Sequence, residues 1–588
     1  MGSRAATAGA LATWTAAEAA AALHAGECTA HTLLKAATTR MGSTRQLNAF
    51  VGGVLDTASR DADASDERRR RGNTKAPGGS MLDGVPIAVK DNFCVRGAPT
   101  TAGSKMLKGY TPPMESTVTA RLRAAGAVIV GKCNMDEFGM GSANTHSASG
   151  ACINPWVARP TRDDEKGDEN SSSSSEMETT REASLGPRVA GGSSGGSASA
   201  VAAGAVVLAV GSDTGGSVRL PAAYCGVVGF KPSYGHLSRW GLVPYVSSMD
   251  TPGFLARSVT DAAVAMYTCH GVDPLDSTSV DVNTNKLLRW LETNDEVSKH
   301  LRGSTGDLSG ADQRPPSFLR SRVGMPLAGW RIGVPIEYDV AEISDEVRVA
   351  WSETCELLER LGATVVKVSL PSTAAALAAY YIIAPAEASS NLARYDGVRY
   401  GIDGGSGSPS GESIEVARES IEAAGESLGK SGDDFHASVA NARAKGFGPE
   451  VQRRVLVGTY VLGTDITSRY FDKAQRVRRK VAEEFAGVFS GGGGVGAVGV
   501  SSRSTPVAKP TPAALRPNIS LPPPKPPAPP PPPPLKTFLN SSATFRRTRC
   551  ALSKYRDVIS VPRTYVPTKT RRWTSGPNPF ARAFATEA

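Results

Sequence analysis

The chain has 588 residues, 40% of them hydrophobic and 21% charged, with a formal net charge of +10. That length alone suggests several domains, but there is no internal repeat, and no apolar run reaches the ~20 residues of a membrane-spanning helix. The basic excess is local: residues 501–588 hold 15 lysines and arginines against Asp557 and Glu587, so the rest of the chain is slightly acidic and its charge does not argue for RNA binding.

Taken in chain order, residues 1–12 are free of acids and carry Arg4, which reads as the remnant of a targeting segment. Thr15 to Glu18 has the spacing of a capping box and opens a helix. The run LDGVPIAVKDN ends a strand on Lys90, with Val85, Ile87 and Val89 beside it. Ser116 to Ala125 reads as a helix stopped by Gly126, with a strand over Ala127–Val130. Residues 158–188 are rich in Ser, Asp and Glu and are expected to loop out, as is the Gly/Ser-rich stretch 403–412. Residues 287–325 read as a third surface loop. Between the first two, small residues from Ala198 suit a packed helix and Val206–Val210 suits a buried strand. Ser344 to Leu361 reads as an amphipathic helix stopped by Gly362, followed by a strand over Ala363–Leu370. Helix-then-strand alternation of this kind favours an α/β architecture.

Two glycine-flanked serine clusters stand out, Ser193-Ser194 in GGSSGG and Ser217 in DTGGS, 24 positions apart from Ser193 to Ser217. Glycine leaves room for backbone N–H groups to approach a substrate, so Thr214, Gly215, Gly216 and Ser217 can aim several donors at one oxyanion. With Lys90 upstream, the pattern suggests a serine nucleophile activated without histidine. An ordinary lysine titrates near ~10.4 and is a poor base at neutral pH, but burial among apolar neighbours makes the neutral amine available. The eight cysteines, at 28, 94, 133, 152, 225, 269, 355 and 550, form no C-x-x-C pair. That argues against a zinc site and fits free thiols in a reducing compartment. Cys225, just past Ser217, reads as core.

The whole run from Gly191 to Lys231 resembles the amidase signature family. Further runs, among them GKCNMDEFGMGSANTHSASG, NLARYDGVRYG and EVQRRVLVGT, resemble the A subunits of glutamyl-tRNA(Gln) amidotransferases over about residues 13–490. The resemblance implies one α/β domain, an amidase signature fold with a mixed β-sheet covered by helices. It also implies a triad of Lys90 as base, Ser193 as bridging serine in a cis peptide and Ser217 as nucleophile, with Thr214, Gly215, Gly216 and Ser217 as the oxyanion hole. Arg453 or Arg454 is implied to bind the carboxylate of L-glutamine, with Tyr400 a further substrate contact; a planar guanidinium suits a bidentate carboxylate clamp. Such chains work in a heterotrimer with the amidotransferase B and C subunits. Ammonia passes to the B subunit, which amidates Glu-tRNA(Gln) using ATP and Mg, while the C subunit clasps the other two. The glutamine-hydrolysing chain itself is implied to need no metal or nucleotide, and no membrane is implied. SSMDTPGFLARSVTDAA looks more like mitochondrial members than bacterial or plastid ones, which implies a mitochondrial location with plastid as the alternative compartment.

The family's C-terminal continuation, with its closing strands and an aspartate for the amino group of glutamine, is not legible after Phe489. Residues 491–588 are instead Gly/Pro-rich and basic, and read as disordered or as a gene-model artefact. A real proline-rich arm would form an extended helix open to SH3- or WW-like modules. Two alternatives to the amidotransferase reading follow: a stand-alone amidase on other small amides, and an inactive paralogue with a partner-binding tail.

Overall fold

A computed structural model of the chain describes residues 13–71, 80–156, 187–281, 325, 327–402 and 432–490, all within one unit, Met1–Gly499. The sequence readings for 1–12, for most of 158–188 and 287–325, and for 403–412 and 491–588 lie outside the described residues.

Six strands form a mixed sheet: β1 (Phe50–Val51), β2 (Pro86–Lys90), β3 (Val128–Cys133), β4 (Leu208–Asp213), β5 (Val228–Phe230) and β6 (Thr251–Ala256), in the order β1-β3-β2-β4-β6-β5. The centre is parallel, β2 pairing with β3 and β4, and the flanks are antiparallel. Every residue of β2, β3, β4 and β6 is buried. That is why these strands read as near-continuous apolar runs rather than as alternations. A separate parallel pair, β7 (Arg331–Pro335) and β8 (Thr364–Val368), has mostly half-exposed residues.

Helices cover the large sheet: α1 (Ala16–His24), α2 (Ala30–Ser43), α3 (Asp56–Arg70), α4 (Thr117–Ala124), α5 (Gly195–Ala202), α6 (Arg219–Cys225) and α7 (Val259–Cys269). The second half adds α8 (Asp345–Arg360), α9 (Thr373–Asn391), α10 (Gly432–Gly446), α11 (Pro449–Val461) and α12 (Phe471–Ser490). The sequence signals at the ends hold. Thr15 and Glu18 make the reciprocal capping box, Ser116 caps α4 through the N–H of Thr119, and Ser344 and Leu361 flank α8. Three strand boundaries differ, the strand read over Ala363–Leu370 being β8, Thr364–Val368. β3 runs on to Cys133, and β4 is shifted to Leu208–Asp213, because Gly211, Ser212 and Asp213 pair with Gly253, Pro252 and Thr251 of β6. Tertiary pairing overrides their polar composition.

Two apolar cores result. The larger surrounds the six-stranded sheet and includes Val85, Ile87, Val89, Leu208 and Val210. The smaller joins Phe138, Tyr245 and Val246 to Ala384 and Ala388 of α9 and Val451 of α11. The ends of the acidic insertion lie side by side, with Ile153 bridged to Val189 and the Asn154 N–H donating to the Arg188 carbonyl at 2.9 Å.

Candidate active site

Lys90 is the last residue of β2 and is fully buried. Its Nζ lies 2.7 Å from Ser193 Oγ, 2.9 Å from Ser212 Oγ and 3.3 Å from the Ser212 carbonyl. Ser212 comes from β4, the parallel neighbour of β2, so the sheet itself delivers both groups. Three oxygens thus surround one amine. A neutral lysine can donate to the two Ser212 oxygens and turn its lone pair towards Ser193. Burial pulls the Lys90 amine down from 10.5 to about 7, against the opposing charges of Asp136, Asp213 and Asp250. The burial expected from its apolar neighbours is therefore present.

Ser193 follows a cis Gly192–Ser193 peptide. A side chain at Gly192 would run into the Asp136 carboxylate, which itself is held by the N–H groups of Asn144 and His146. The two serine clusters meet through the backbone: the Ser194 N–H donates to the Ser217 carbonyl at 3.1 Å. Ser217 is nearly buried, 8% exposed. Its hydroxyl makes no hydrogen bond among the described residues, so the side-chain chain from Lys90 stops at Ser193 here.

The glycine loop differs from the expectation at one position. The Gly216 N–H donates to Asp213 Oδ1 at 2.8 Å and is not open to a ligand. Those of Thr214, Gly215 and Ser217 have no partner among the described hydrogen bonds, which leaves three donors rather than four. Asp213 also takes the Val218 N–H and a bidentate pair from Arg219. Burial works against its ionisation, but these donors outweigh it and hold the carboxyl below its ordinary range.

The structure separates the two arginines. Arg453 is exposed and pairs with Glu450 on its own helix. Arg454, 7% exposed, points inward. Its Nε donates to Glu450 at 2.7 Å and its Nη1 to the Tyr245 hydroxyl at 2.6 Å, and it lies over the Tyr245 and Tyr381 rings. Tyr380 completes the link to the glycine loop. It packs against the same small core as Tyr245, and its ring would stand 2.8 Å from a Cβ placed on Gly215, so glycine there is a packing requirement. Tyr400 is not brought to this group. It stacks edge-on against Tyr395 and lines a cleft of about 460 Å³ with Tyr110, Arg239 and Trp240, whose wall also includes Asp250.

Sequence reasoning missed Ser212, Asn92, Asp213, Asp250, Tyr245 and Tyr380. The only signal was adjacency: Ser212 and Asp213 abut the glycine loop, and Asn92 follows Lys90 by two. Asn92 Nδ2 donates to Ser212 Oγ at 2.9 Å. The seven cysteines among the described residues are all free, with Cys225 fully buried as core. Among the described residues no group of three or more His, Cys, Asp or Glu side chains could hold a metal, and no helix is long and apolar enough to cross a membrane.

The chain is an enzyme of the amidase and amidotransferase class. The Amidase family model matches residues 32–162 and 164–500, and the chain belongs to that family. Among its relatives, the A subunit of the glutamyl-tRNA(Gln) amidotransferase of Paramagnetospirillum magneticum is 43% identical over 445 residues, 76% of this chain and 74% of the relative. The crystal structure of the corresponding A subunit from Thermotoga maritima is 30% identical, covering 82% of this chain and 77% of its own, with a TM-score of 0.52. The peptide amidase of Stenotrophomonas maltophilia is 26% identical, covering 79% and 82%, with a TM-score of 0.50. The amidase signature fold expected from the sequence is the fold found.

Proposed function

We propose that the chain is the glutamine-hydrolysing A subunit of a glutamyl-tRNA(Gln) amidotransferase. In this reading the 13–490 domain works with the B and C subunits in an organelle, the mitochondrion first and the plastid second. The observation that carries it is the identity to amidotransferase A subunits, joined to the buried Lys90 amine 2.7 Å from Ser193 Oγ, beside a loop whose Thr214, Gly215 and Ser217 N–H groups have no partner among the described residues. Neutral Lys90 accepts the Ser193 proton, and Ser193 takes that of Ser217 as Ser217 Oγ attacks the carboxamide carbon. The oxyanion is held by the N–H groups of Thr214, Gly215 and Ser217. The proton returns through Ser193 to the leaving nitrogen, ammonia departs, and water cleaves the acyl-enzyme ester. Arg454, rather than Arg453, receives the glutamine carboxylate, because its guanidinium faces the interior beside Tyr245 and Tyr380. ATP and Mg belong to the B subunit, where the ammonia would amidate Glu-tRNA(Gln).

The test is glutamine hydrolysis by the full chain with and without the B and C subunits. Ser217-dependent ammonia release that rises on adding them is the expected result. Hydrolysis indifferent to them, or faster on other small amides, supports the stand-alone amidase instead. No release in any combination supports the inactive paralogue.

A further inference from the structure

Asp250 lies in the turn before β6, is 3% exposed, and divides its two carboxylate oxygens between different parts of the site. Oδ1 accepts the Thr214 hydroxyl at 2.7 Å. Oδ2 accepts the N–H groups of Tyr245 and Val246 at 2.8 and 2.9 Å. The Asp250 N–H returns to the Val246 carbonyl, so the turn is closed on itself. Tyr245 in turn receives Nη1 of Arg454. We infer that Asp250 is a positioning residue that ties the oxyanion loop to the Tyr245–Arg454 pair, so that the donors facing the reacting carbonyl and the cation facing the far end of the substrate keep a fixed separation.

The geometry makes the choice of side chain specific. Three donors converge on two charged oxygens: an asparagine would have to reverse the bond to Thr214, whose hydroxyl must then accept, and would offer the two backbone N–H groups a neutral oxygen in place of a charged one. Burial pushes the Asp250 carboxyl up to about 6, which its three hydrogen bonds oppose. The residue thus keeps a desolvated charge where a neutral residue would pack more easily, and such a charge is retained only if its contacts hold it. Asp213, at the end of the neighbouring strand, grips the same loop from its other side through Gly216 and Val218. Of these two carboxylates, Asp250 is the one that reaches both the loop and the Tyr245 turn.

Hydrogen exchange and kinetics on the full chain test this. In Asp250→Asn, amide exchange is expected to rise about tenfold both in the glycine loop around 214–217 and in the 243–247 turn, whereas in Thr214→Val it rises in the loop alone. Thr214→Ser, which keeps the hydroxyl, is expected to restore the unmodified pattern. With glutamine, Asp250→Asn is expected to lower kcat and raise KM, each roughly tenfold. With a neutral small amide only kcat falls, since no carboxylate reaches Arg454. The inference is overturned if exchange in Asp250→Asn changes in one segment only or in neither, or if Thr214→Ser behaves as Thr214→Val. The kinetic arm rests on the function proposed above. Failure of that function appears as no Ser217-dependent hydrolysis by the unmodified chain, and the exchange arm then still decides the coupling.

Discussion

Lys90 and Arg454 are both buried cations, and the two cores treat them in opposite ways. Lys90 sits in the larger core with oxygens of serines around it and no carboxylate in hydrogen-bond contact, so burial wins and the amine is drawn down to about 7. Arg454 sits against the smaller core with Glu450 and Tyr245 directly bonded to its guanidinium. Burial works against its charge, but Tyr245, Tyr380 and Glu450 outweigh it and the group is held above its ordinary range. Desolvation without a charged partner favours a neutral amine, the form a base needs; desolvation with partners keeps a fixed cation, the form that suits an anionic group. The supporting structure differs too. Lys90 stands at the end of β2, a strand buried along its whole length, whereas Arg454 stands on α11, an amphipathic helix that buries Val451, Arg454, Gly458 and Val461 and leaves its other face exposed.

This contrast can be broken at four points, in falling order of effect. Ser217→Ala is expected to lower kcat for glutamine on the order of 10⁶-fold with unchanged circular dichroism, the scale of losing a triad nucleophile; undiminished ammonia release would remove Ser217 from the chemistry. Lys90→Met is expected to cost on the order of 10⁴-fold in kcat, since the proton then has no acceptor. The same variant tests the electrostatics. The folded amine has a lowered pKa, so between 10.5 and about 7 the unfolded chain holds the extra proton. The unmodified chain therefore loses stability as pH falls through that window, and Lys90→Met, followed by denaturant unfolding, does not.

Arg454→Gln is expected to raise KM for glutamine roughly 10- to 100-fold, the range of lost hydrogen bonds to a charged group, with little change on a neutral amide. Arg453→Ala, on the exposed side of the same helix, should stay within about twofold in steady-state assays; equal losses from both would erase the distinction drawn between them. Finally, kcat/KM is expected to climb about tenfold per pH unit below about 7 and level off above it, as Lys90 gives up its proton. A profile that is flat from pH 5 to 8 would show that the amine is not the base.

The elements were legible in the sequence wherever the signal is local. Thr15 and Glu18, Ser116 and Gly362 mark helix ends by their own chemistry, and the apolar run ending at Lys90 announces a buried strand. What was not legible depends on which strands and helices become neighbours. Ser212 is one hydroxyl in a polar stretch until β4 pairs with β2 and sets it on the lysine. Arg453 and Arg454 are consecutive and chemically equal, and only packing against Tyr245 and Tyr381 tells them apart. Gly216 looked like an oxyanion donor because its N–H could face a ligand; the Asp213 carboxylate three residues earlier takes that N–H first.

The bridge between Ile153 and Val189 has a mechanical meaning beyond joining two loop ends. It stands four residues before Ser193 and works as a clasp, so a pull on the intervening chain is borne by that pairing and not by the serine. Changes between the two ends of this bridge should therefore leave Ser193 and Ser217 in register.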